Sequence, residues 1–162
     1  MNTACTRCHR SFERTYILYQ QEQTPCEVLF VRMAPSAHED QHNSMFAHSA
    51  DLMLVQALQE SSMVDVPYGY SYLLRCWSGH SPYEEDMATC VQHHLLEEIR
   101  SRGPVMIVLL DEAVRYVNTV YEILKMPIVE LRLHPEKDKA IQQMNGIFRS
   151  LDSARSEKSH GT

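Results

Sequence analysis

The chain has 162 residues, carries a formal net charge of −6 and is 44% hydrophobic. That length suits one domain around a single sizeable core, and the composition is that of a globular chain rather than a disordered or fibrous one. An acidic total argues against nucleic-acid binding through charge alone, which needs a basic face, and no apolar run approaches the ~20 residues of a membrane helix.

In chain order, the polar N-terminus lacks the apolar stretch of a secretory signal. A cytoplasmic location with no membrane partner is therefore expected, and the five cysteines should be thiols or metal ligands rather than disulfides. Val28 to Val31 has strand length and β-branched content, and Ala34-Pro35-Ser36 ends it as a loop. Ser49 to Gln59 reads as a helix with Leu52, Val55 and Leu58 on one face. Tyr68 to Cys76 is a second strand. Pro82 opens a helix running to about Arg100, where Glu84, Glu85 and Asp86 suit the positive end of the dipole. Val105 to Leu110 is the clearest strand, a continuous apolar run of the kind buried on both faces of a parallel sheet. Glu112 to Lys125 follows as a helix and Ile128 to Leu133 as a short strand. Lys137 to Leu151 is a helix striped by Ala140, Ile141, Met144, Ile147 and Phe148. The tail 152–162, rich in serine and charge, is expected to be disordered, which leaves 1–151 as the domain.

Strands alternating with helices predict a three-layer α/β/α sandwich with a largely parallel central sheet. Ligands of such sheets sit beyond the carboxyl ends of the strands. The loops after Val31, after the Tyr68 strand and after Leu133 are therefore the places to look.

The stretch CTRCHR, residues 5 to 10, holds Cys5 and Cys8, with Cys76 and Cys90 far downstream and Cys26 apart. Four thiolates in two pairs suit a tetrahedral zinc site or a [4Fe–4S] cluster. The wide gap in the second pair favours a cluster, with zinc the alternative, and in the plainest reading Cys76 and Cys90 are small buried residues.

With these cysteines, five motifs in order resemble the iron–sulfur uracil-DNA glycosylases, the family 4 type and its phage DNA polymerase-related relatives. The family's GEAPGxxED is echoed by residues Arg32 to Asp40, its PFVGxAGxLL by Met45 to Leu54, and its TNxxKC by Ser71 to Cys76. Pro82 and Asp86 stand where that family has Pro and Glu, and Leu133-His134-Pro135 matches its His-Pro motif. The resemblance covers roughly residues 4 to 150. It implies the glycosylase fold, a structural cluster on Cys5, Cys8, Cys76 and Cys90, and DNA as partner. It also implies a pocket bounded by Ala34, Pro35, Phe46 and Tyr72 for a base flipped out of the duplex. Phe46 stands at the stacking position, and His134 at the position that stabilises the departing base anion.

The departures matter as much as the matches. Met33 replaces the family's acid, Tyr72 its uracil-reading Asn, Ser36 a glycine of the loop, and Glu136 the Ser after His-Pro. Glu39 and Asp40 are the candidates for a substitute acid. The expectation is a divergent, DNA-binding relative that takes a flipped or modified base without ordinary uracil excision. The alternative is an inactive DNA-binding or partner-binding regulator of replication or repair proteins.

Overall fold

The computed structural model describes residues 5–20, 22–47 and 49–161. Four strands, β1 (Val28–Arg32), β2 (Tyr68–Tyr72), β3 (Met106–Leu110) and β4 (Ile128–Leu131), make one sheet in the order β2-β1-β3-β4. Every neighbouring pair is parallel. Alternate residues of the central strands feed opposite cores, as the two-residue strand period requires. Val28, Phe30, Met106, Val108 and Leu110 join Leu54, Leu58, Met144 and Ile147 on one face. Leu29, Val31, Ile107 and Leu109 join Met87, Val91, Leu95 and Val120 on the other. The first face is covered by α2 (Ser49–Gln59) and α6 (Lys137–His160), the second by α3 (Glu84–Cys90), α4 (Leu96–Arg102) and α5 (Val117–Leu124). Strands buried on both sides have no polar face, which is why β1 and β3 read as unbroken apolar runs. The three-layer α/β/α sandwich with a parallel sheet is the architecture expected.

Several boundaries differ from the sequence reading. A short helix, α1 (Ala37–His42), follows the Ala34–Ser36 loop. Ser36 Oγ accepts the Glu39 N–H while the Glu39 carboxylate accepts the Ser36 N–H, a capping box that closes the first turn. In α2, Leu52 is 68% exposed, and the inward positions are Asp51, Leu54, Ala57 and Leu58. Asp51 is drawn in by Arg32 at 3.1 Å, and this turns the face by one residue. Between α3 and α4 the helix widens to a π-helical stretch over Val91–Leu95. α6 runs on to His160, through most of the segment expected to be disordered. Leu151 is buried there, Arg155 pairs with Glu27, and the hydroxyls of Ser153, Ser156 and Ser159 each donate to the carbonyl four residues back. Among the described residues no helix is long and apolar enough to cross a membrane. His48, within the second family-like motif, lies outside the described residues.

One buried ion network ties α4 to β2 and to the N-terminal segment. Glu98 pairs with Arg75 and, at 3.0 Å, with Arg102, and accepts the Ser71 hydroxyl at 2.7 Å. Arg102 also donates to the Thr24 carbonyl at 2.9 Å and to Gln20 Oε1 at 2.8 Å. Its guanidinium lies so close to β2 that a Cβ built at Gly69 would overlap it. Gly69→Ala is thus expected to cost ~1–3 kcal/mol by overpacking, read as a lower urea midpoint. An unchanged midpoint would mean that Arg102 can swing aside despite those bonds.

Candidate functional site

Two arrangements lie at the carboxyl side of the sheet. The first gathers the cysteines. Cys8 precedes a 3-10 turn (His9–Phe12), Cys76 follows β2, and Cys90 ends α3. All four, Cys5 included, line one cleft together with Arg10, Arg75, Asp86 and His94. Cys26 is buried away from it, in the second core. The Arg75 N–H donates to Cys90 Sγ at 3.4 Å. Burial pushes the Cys76 thiol up to about 12 and the Cys90 thiol up to about 11. Cys90 adds to the rise at Cys76, and Cys8 and Cys5 add to it at Cys90. The metal-free Cys76 and Cys90 thiols therefore keep their protons at neutral pH, and a metal that takes them as thiolates must displace those protons. Among the described residues no three His, Cys, Asp or Glu side chains stand close enough together to hold a metal ion. His94 is held by Tyr19, whose hydroxyl lies 2.5 Å from Nδ1. Burial, helped by Arg75, lowers the His94 pKa to about 4, so its ring is neutral.

The second arrangement surrounds Tyr72. This residue ends β2, is fully buried, and donates its hydroxyl to Glu39. The same hydroxyl accepts the Phe46 N–H at 3.1 Å, and Glu39 accepts that N–H too, at 2.9 Å. Burial, then the bond to Glu39, pushes the Tyr72 pKa well above its ordinary value. Glu39 also accepts the Ser36 N–H and meets Arg32 at 3.5 Å. Phe46 has a left-handed backbone, φ 50°, a conformation costly for an aromatic residue and kept here by the two acceptors on its N–H. Its ring lies 4.5 Å from Tyr70 and 5.4 Å from Tyr72, with the Arg32 guanidinium 5.3 Å from its centroid. Phe46 thus stacks with the chain's own side chains.

With that geometry in place, the chain can be set beside known proteins. A family model described as the uracil DNA glycosylase superfamily matches residues 20–150. The chain belongs to the uracil DNA glycosylase superfamily. No curated protein matches it. The matched span contains all four strands, while Cys5 and Cys8 precede it.

For a member of the uracil DNA glycosylase superfamily, the placement of the remaining candidates is informative. Glu39, Phe46 and Tyr72 come together, and Ala34 and Pro35 sit on the loop between β1 and α1, Pro35 buried and Ala34 half-buried. Asp40 does not join them. Its carboxylate accepts the N–H groups of Thr15 and Tyr16, all at 2.9 Å, and so clamps the N-terminal segment to α1. Met33, which the resemblance sets where the family has its acid, is buried in the second core. His134 follows β4, which is three strand steps from β2, ~14 Å at the usual spacing. It therefore stands across the carboxyl edge from Tyr72. Its Nδ1 accepts the Glu136 N–H at 3.0 Å, which in the neutral ring leaves Nε2–H as a donor. Gln143 accepts the His134 N–H at 2.8 Å and donates to the Arg132 carbonyl, while Asp111 accepts the Leu133 N–H.

Sequence reasoning missed Arg32 with Asp51, the Glu98 network, and the Asp111 and Gln143 supports of the His134 loop. The spacing of His94, Glu98 and Arg102, four residues apart on one helix, was a signal for the second of these. Asp111, at φ 51°, gave none.

Proposed function

We propose that this protein is an iron–sulfur, DNA-binding member of the superfamily that does not carry out ordinary uracil excision. The observation that carries this is the closure of Tyr72 on Glu39. A site that reads uracil needs a donor and an acceptor facing the base edge. Here the only polar atom of the Tyr72 side chain is engaged with Glu39 and the Phe46 N–H. Glu39, the nearest substitute for the missing acid, has its carboxylate occupied by Tyr72, Phe46, Ser36 and Arg32. Asp40 is committed to the Thr15 and Tyr16 amides. Cleavage of the glycosidic bond would build positive charge on the sugar with neither Glu39 nor Asp40 free to face it. His134 keeps the geometry of its role, with Nδ1 taken by the Glu136 N–H and Nε2 left to donate to a developing base anion.

The four cysteines around one cleft fit a [4Fe–4S] cluster by donor chemistry and by shared lining. A zinc ion has less support, since its sulfurs must all lie ~2.3 Å from one point. Cys5, Cys8, Cys76 and Cys90 would hold the cluster, which supplies iron–sulfur bonds tying the N-terminal segment to β2 and α3. DNA as partner rests on superfamily membership. Arg132, Lys137 and Lys139 are the candidates to meet phosphates, Lys137 by leaving Glu60 and Lys139 by leaving Glu136.

The test uses anaerobically purified protein on uracil-containing duplex, followed by alkali. The expected rate is lower than that of an active member by ~100- to 1,000-fold or more, the usual loss for one missing electrostatic group. The same duplex should still bind, with affinity falling as salt rises. Strand breakage at the rate of an active member would sink the proposal, as would binding indifferent to salt.

A further inference from the structure

Two arginines at the cysteine cleft keep hydrogen-bonding capacity that the described residues leave unused. Arg10 is 2% exposed and Arg75 1%, and both line the cleft with the four cysteines. Arg10 donates through Nε to the Cys76 carbonyl at 2.9 Å, and its Nη1 has no partner. Arg75 pairs through Nη2 with Glu98 and lies 5.0 Å from the Tyr19 ring centre, and its Nε and Nη1 have none. A guanidinium does not give up its charge in a protein, and a buried donor left unmatched costs ~1–3 kcal/mol.

We propose that Arg10 and Arg75 balance the negative charge of an iron–sulfur cluster held by the four cysteines and set its reduction potential. This rests on the four-cysteine reading above. Local charge and hydrogen bonds at sulfur are among the main controls on such potentials. Reduction adds an electron, so a fixed positive neighbour favours the reduced form and raises the potential. The charge of Arg75 is shared with Glu98, which makes Arg10 the more informative position.

Wild type, Arg10→Gln and Arg10→Lys are purified anaerobically, assayed for iron and sulfide, and titrated with dithionite while the visible absorbance of the cluster is followed. Arg10→Gln is expected to lower the reduced-to-oxidised ratio at fixed potential at least tenfold, ~59 mV for a one-electron couple. Arg10→Lys, which keeps the charge, should shift less. A fully loaded Arg10→Gln with an unmoved potential overturns the inference and leaves the cluster standing. Wild-type protein without iron and sulfide overturns both. If Arg10→Gln folds by circular dichroism but fails to load, recovery of loading in Arg10→Lys supports the charge role, and equal loss in both overturns it.

Discussion

Glu98→Ala is expected to destabilise the protein by ~3–5 kcal/mol, the cost of stripping a buried ion network of one partner. Glu98 is 4% exposed, and its carboxylate stands between Arg75 and Arg102 while accepting the Ser71 hydroxyl. Burial alone would raise its pKa. The charge of Arg75, with hydrogen bonds from Arg75, Ser71 and Arg102, outweighs burial and holds the carboxyl below its ordinary 4.5. A depressed carboxyl contributes stability that is complete above its unfolded value and fades as pH falls through the folded one. Wild-type stability should therefore drop below about pH 4.5 more steeply than that of Glu98→Gln, which has no charge to lose. Urea unfolding at pH 7 and across the acid range measures both. A loss under 1 kcal/mol at pH 7, against the ~3–5 expected of a dry pair, would mean that water reaches the two arginines.

The second large effect is catalytic. Met33→Glu with Tyr72→Asn restores the acid and the amide that the family resemblance assigns to these positions. The double variant is expected to excise uracil ~100- to 1,000-fold faster than Tyr72→Asn alone, the worth of one preorganised electrostatic group. Stability limits the experiment. Met33 is packed with Leu73, Leu74 and Met87 in the second core, and a carboxylate there is costly until water or a partner reaches it. The assay therefore runs at low temperature, with circular dichroism as the check on folding. A folded, cluster-loaded double variant that leaves uracil-containing DNA intact would show that the DNA-facing surface, and not only the base slot, has diverged.

How much of this was written in the sequence differs from place to place. The sheet was legible because β1 and β3 are covered on both faces, and an unbroken apolar run as short as Val105 to Leu110 suits little besides a strand buried on both sides. The spacing singled out Cys5, Cys8, Cys76 and Cys90, and the fold lines one cleft with them, but how near the four sulfurs stand to one another was not in the spacing. The tail misled because serines and charges that signal disorder also suit a helix once Leu151 is buried and Arg155 finds Glu27. The Tyr72 closure was out of reach. Substitution of an Asn by a Tyr announces a changed slot, but nothing local says that the new hydroxyl will turn to Glu39, 33 residues away. Asp40 shows the same limit, for its neighbour Glu39 meets Tyr72 and the Phe46 N–H while its own carboxylate faces Thr15 and Tyr16.

The widened turn at Val91–Leu95 sets the phase of everything after it. Cys90, His94, Glu98 and Arg102 follow at steps of four. In a plain α-helix each such step overshoots a full turn by ~40°, so the last of the four would be displaced by ~120° from the first. The looser winding of a π-helical stretch takes back most of that drift. All four side chains then lie along one seam, from the cysteine cleft through Tyr19 to Gln20 and Thr24. The extra residue accommodated here acts as a spacer between two demands, a cysteine in the cleft at one end of the helix and an ion network at the other. A one-residue deletion in this stretch would leave the composition almost untouched and yet force the helix to choose which of the two it keeps.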